Sequence, residues 1–65
     1  MKLWIARDKE GPLWLFENKP IFNESSNEFF CKYGEINIQL DSQLLPEVTF
    51  ENSPQQIEFK LIKEN

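Results

Sequence analysis

The chain contains no histidine. That removes the commonest general base and the commonest metal ligand. A single cysteine, Cys31, excludes an internal disulfide. With no histidine to activate it and with Phe30 and Tyr33 as neighbours, it reads as a small hydrophobe. Only two glycines are present, Gly11 and Gly34, so there is no glycine-rich phosphate loop. No apolar run approaches the ~18 residues of a membrane span. The opening Met1–Ala6 is broken at once by Arg7 and Asp8, short of the roughly 7–15 apolar residues of a secretory signal. Positive charge is also scarce, with 7 basic residues against 11 acidic ones and a net charge of −4. Phosphate neutralisation needs the opposite sign. These absences lead to the expectation of a cytoplasmic, non-enzymatic protein with no catalytic residues, no cofactor, no metal and no membrane partner. They also disfavour nucleic acid as a partner.

What the chain does have is large apolar side chains in alternation. Its 65 residues suit one domain spanning 1–65. A domain of this size buries only about 60% of its unfolded surface. Aromatics at 14% of the chain are suited to supply a dense core. Period-two patterning predicts strands at 2–7 and 13–18, joined through Asp8-Lys9-Glu10-Gly11. Asp at the first position and Gly at the fourth fit a type I turn closed by a glycine at positive φ. Lys19-Pro20-Ile21-Phe22 reads as extended, and further short strands are predicted around 29–31, 35–40, 48–51 and 57–61. Asn23–Asn27 forms a polar loop, Tyr33-Gly34 a turn, and Asp41 caps one helical turn over 41–46 ended by Pro46. The predicted fold is all-β, a small antiparallel meander of five or six strands, barrel-like or sandwich-like. Its expected core is Leu3, Ile5, Leu15, Ile36, Ile38, Val48, Phe50, Ile57, Phe59 and Leu61.

The first turn also fixes a register. Ile5 falls opposite Leu15, and Trp4 opposite Phe16. Leu3, Ile5, Leu13 and Leu15 then share one face, while Trp4, Ala6, Trp14 and Phe16 share the other. A hairpin apolar on both sides is unusual when one side meets water. Trp4, Trp14 and Phe16 are therefore the candidate interaction face. They either fill a core or make a contact, and the pattern alone leaves both open. Two function classes follow. One is a protein-interaction module using this aromatic face or an edge strand, with a homodimer as its simplest form. The other is a small barrel that stacks single-stranded nucleic acid on its aromatics, with Lys2 and Arg7 flanking the platform.

Several segments carry a resemblance: Lys2-Leu3-Trp4-Ile5-Ala6-Arg7-Asp8, Glu17-Asn18-Lys19-Pro20, Leu45-Pro46-Glu47-Val48-Thr49-Phe50-Glu51 and Ser53-Pro54. Together they resemble a family of short bacterial proteins of unknown function, some of them phage or mobile-element associated. The resemblance implies a compact β domain and brings no chemistry with it.

Overall fold

The computed structural model describes residues 1–60. Six strands run in chain order: β1 (Lys2–Arg7), β2 (Leu13–Phe16), β3 (Ile21–Asn23), β4 (Glu28–Phe30), β5 (Asn37–Leu40) and β6 (Gln55–Glu58). Four of them form an antiparallel sheet in the order β5-β2-β1-β6, and β3 pairs with β4 in a second, two-stranded sheet. The fold is all-β and sandwich-like, with the β3–β4 hairpin lying against one face of the larger sheet. The β1–β2 and β3–β4 connections are short, which requires antiparallel pairing there, while the longer segment 41–54 carries the chain from β5 to β6.

The first hairpin follows the predicted register. Trp4 pairs with Phe16 and Ile5 with Leu15. The Asp8 carbonyl accepts from the Gly11 N–H at 3.0 Å, and the Asp8 N–H donates to the Pro12 carbonyl at 2.9 Å. Gly11 sits at φ +116°, where a side chain would strain the backbone.

Both faces of the sheet are packed, as the pattern required. Ile5, Leu13 and Val48 form one core, with Leu15, Leu40 and Ile57 against it. Ala6, Phe16 and Phe29 form the other, with Trp4, Trp14, Cys31 and Phe50 against it. The β3–β4 hairpin supplies Phe29 to this second core. Phe22, Phe29 and Phe50 stack there with ring centroids 5.1–6.3 Å apart, a range in which tilted aromatic pairs are favourable.

Three sequence expectations need correction. Residues 48–51 form no strand. Val48 enters one core and Phe50 the other, which strict two-residue alternation cannot produce. The helical turn expected at 41–46 is a hydrogen-bonded turn instead, with the Leu44 N–H donating to the Asp41 carbonyl at 3.0 Å. Three expected core residues are exposed: Ile36 at 60%, Ile38 at 52% and Phe59 at 50%. Leu61 lies outside the described residues. Among the described residues, segment 41–54 covers only the end of the sheet near Arg7, and the Ile36–Ile38 end is open.

Arg7 explains where that segment goes. Its Nε donates to the Val48 carbonyl at 2.6 Å. Nη1 donates to Gly11 at 2.7 Å and Ser42 at 2.8 Å. Nη2 donates to Leu44 at 2.9 Å and Leu45 at 3.3 Å. A guanidinium has five N–H donors, and here each finds a backbone carbonyl. The Arg7 backbone N–H is taken by the Ser53 hydroxyl at 2.9 Å. The turns of 42–48 are thus wound around one side chain.

Candidate interaction surface

The structure brings Trp4, Trp14 and Phe16 onto one face, as the register predicted. Phe16 is core, at 1% exposure. Trp4 and Trp14 are half-buried beside it. The cover comes from the β3–β4 hairpin of the same chain. Lys19 Nζ lies 5.6 Å from the Trp4 ring centre, within cation–π reach.

Asp8 fastens that cover. It is only 4% exposed. One carboxylate oxygen accepts from the Phe29 N–H at 2.8 Å, and the other accepts from Trp14 Nε1 at 3.1 Å. The Lys9 N–H adds a bond to the Asn27 carbonyl at 3.2 Å. The carboxylate thus joins the sheet to the hairpin and satisfies the half-buried Trp14 indole. A cleft of 190 Å³ opens beside it, lined in part by Asn23, Glu28 and Asn37.

Burial pushes the Asp8 carboxyl above its ordinary 3.8. The Phe29 and Trp14 hydrogen bonds oppose that shift, and the nearby Glu28 charge adds to it. The folded state therefore holds this proton more tightly than the unfolded chain. The stabilisation is fully present below 3.8 and is lost as pH rises through the folded value. Wild type should thus gain stability relative to Asp8→Asn as pH falls from neutral to below 3.8. Urea midpoints for both proteins across that range check this. A difference independent of pH would refute it.

The open apolar surface lies on the opposite face. Met1, Leu3, Leu15, Ile36 and Ile38 line a shallow groove of 240 Å³ together with Phe16 and Glu17. The registers Leu15↔Ile38 and Leu3↔Ile57 place these side chains in adjacent rows. Phe59 continues the surface, since its N–H donates to the Met1 carbonyl at 2.8 Å and extends the β1–β6 ladder. Glu17 turns one carboxylate oxygen back to the Ile36 N–H at 2.9 Å. That bond holds the start of β5 in place and leaves the groove floor aliphatic.

A smaller apolar pair, Ile21 and Phe30, faces outward on the β3–β4 hairpin, flanked by Asn23 and Glu28. Tyr33 stands fully exposed at the following turn.

Composition missed this surface because Ile36, Ile38 and Leu40 alternate as core residues do. The available signal was volume. Segment 41–54 is too short to cover both ends of a sheet face while also wrapping Arg7. Among the described residues, no cluster of three or more His, Cys, Asp or Glu side chains is placed to hold a metal. Cys31 is half-buried and its thiol points to the Glu35 carbonyl at 3.6 Å. No helix among the described residues is long and apolar enough to cross a membrane.

Comparison with protein-family models, with curated proteins and with solved structures finds no match for this chain. The fold and its surfaces define the class, a small antiparallel β sandwich with one open apolar end. Function is read from that geometry alone.

Proposed function

We propose that this protein is a protein-interaction module, and that it self-associates through the open apolar end of its four-stranded sheet. The observation that carries the reading is the exposure of Ile36 and Ile38 beside Met1, Leu3 and Leu15. Contiguous exposed apolar surface on a small domain marks a contact site. The contact surface is therefore this aliphatic end rather than the Trp4/Trp14/Phe16 face, which the hairpin already occupies.

The nucleic-acid reading loses its chemistry at two points. Arg7, counted as a phosphate contact, gives its guanidinium to five backbone carbonyls. The aromatic platform is packed beneath Phe29. Base stacking needs open ring faces beside free cations.

Sedimentation over a concentration series tests the reading. Wild type should shift from monomer towards dimer. Ile38→Glu should stay monomeric with an unchanged fold, because residue 38 is half-exposed in one copy. Each copy carries −4, so added salt should strengthen association by screening. A wild type that stays monomeric at every concentration and salt would overturn the proposal.

A further inference from the structure

We infer that two copies join β5 to β5 antiparallel, about a two-fold axis through Asn37, making one continuous sheet. This rests on the self-association proposed above and specifies its geometry. β5 is an edge of the sheet. The Glu17 N–H donates to the Ile36 carbonyl at 3.2 Å. With the register Phe16↔Asn37 and Leu15↔Ile38, that bond turns Ile36, Ile38 and Leu40 towards β2. The backbone groups of Asn37 and Gln39 then point outward, along the open edge.

The two edges of this sheet differ in chemistry. β6 carries Glu58 and follows Pro54, both of which discourage strand addition. β5 reads Asn-Ile-Gln-Leu, with no charge and no proline. On the open face it carries the exposed Ile38 and the partly buried Leu40, with exposed Ile36 just before the strand. An uncharged edge in a chain of net charge −4 suits a partner strand that is itself uncharged. A second β5 meets that requirement, and two-fold pairing presents the same surface from both copies.

Charge and burial also select the register. An axis through Ile38 would set Glu35 opposite Asp41 of the second copy, and like charges directly opposite are unfavourable. An axis through Gln39 would set Ile36 opposite Ser42. An axis through Asn37 sets Ile36 opposite Ile38 in both directions and opposes no like charges. The two grooves then join into one continuous aliphatic strip across the seam, where Ile36 and Ile38 pack against each other, with Met1, Leu3 and Leu15 at its flanks.

Cross-linking in a Cys31→Ser background tests this. Residues 36 and 38 of facing copies form a pair with Cα atoms about 4.5 Å apart, inside the ~4.4–6.8 Å range of a disulfide. Like positions sit diagonally at roughly 7–8 Å. Mixed Ile36→Cys and Ile38→Cys chains should therefore oxidise to a covalent dimer at least about tenfold faster than either chain alone. Gln39→Pro is the second test, because this residue's N–H points away from β2 and a proline there costs no ladder bond inside one copy. That variant should lose dimerisation while keeping the circular dichroism and melting temperature of the dilute wild type. If wild type dimerises but Gln39→Pro dimerises equally, or the mixed pair shows no preference, the β5 geometry is overturned and self-association stands. If wild type does not dimerise, both fall.

Discussion

Arg7→Ala is expected to destabilise the protein by about 3 kcal/mol, lowering the melting temperature by roughly 12–24 °C. The loss follows from what the guanidinium holds. Five carbonyls, from Gly11, Ser42, Leu44, Leu45 and Val48, converge on it. A hydrogen bond to a charged group contributes about 1.5–3 kcal/mol, but contributions from one side chain do not add. Several of these acceptors lie near the surface, where water replaces the lost donor. Those around Nε and Gly11 are part-buried and are rehydrated less well. Losing the cage also frees Val48, which closes the core of Ile5 and Leu13. Arg7→Lys keeps the charge but offers three donors on a flexible stem, without the planar fork. It should recover less than half of the loss. Urea denaturation of both variants checks the claim. A fully stable Lys variant would mean that charge alone suffices and that the fan of donors is incidental.

Phe16→Ala should cost about 3–5 kcal/mol, the usual range for emptying a core aromatic. Phe16 is 1% exposed and touches the core that Ala6 and Phe29 build between sheet and hairpin. For a domain this small the loss approaches its whole stability. Phe16→Leu, a gentler truncation, keeps the experiment readable if the Ala variant does not fold. Neither change should alter dimerisation of the folded fraction. Ile38→Glu should do the reverse, abolishing association at little cost to the monomer. Calorimetry and sedimentation on the same samples separate the two effects. Loss of association in a stably folded Phe16→Leu would return the interface to the aromatic face.

The strands near a strong turn were legible in the sequence. Asp8 and Gly11 fix the turn type, the turn fixes the register, and the register assigns every side chain of β1 and β2 to a face. The presence of two apolar faces followed directly. Which segment covers which face did not. Phe29 reaches the aromatic core because the Asp8 carboxylate accepts its N–H from 21 residues away, and no local pattern encodes that bond. Asp8 in isolation reads as turn chemistry, and its carbonyl does serve the turn. Its side chain is free for a second task. Arg7 reads as a surface cation for the same reason: its five acceptors are backbone groups, and backbone leaves no trace in composition. Residues 48–51 alternate like a strand, but the pull of Arg7 on Val48 and of the phenylalanine cluster on Phe50 bends them out of one. The exposed pair Ile36 and Ile38 was assigned to the right face and the wrong environment. Alternation gives the side of a sheet and says nothing about how far the cover extends.

The sheet also divides the molecule into two compartments that report separately. Ile5 and Ala6 are adjacent in β1 and both fully buried, yet they face opposite ways. Both tryptophans sit on the Ala6 side, one with its indole tied to Asp8 and the other beneath Lys19. Their fluorescence is therefore an optical gauge of the hairpin compartment only. Detachment of residues 42–48 from Arg7, with Phe50 kept in its phenylalanine cluster, would uncover Ile5 and Leu13 while leaving the emission little changed. An unfolding curve followed by tryptophan light and one followed by amide exchange at Ile5 would then diverge, and the gap between them would measure how independently the two halves of the protein let go.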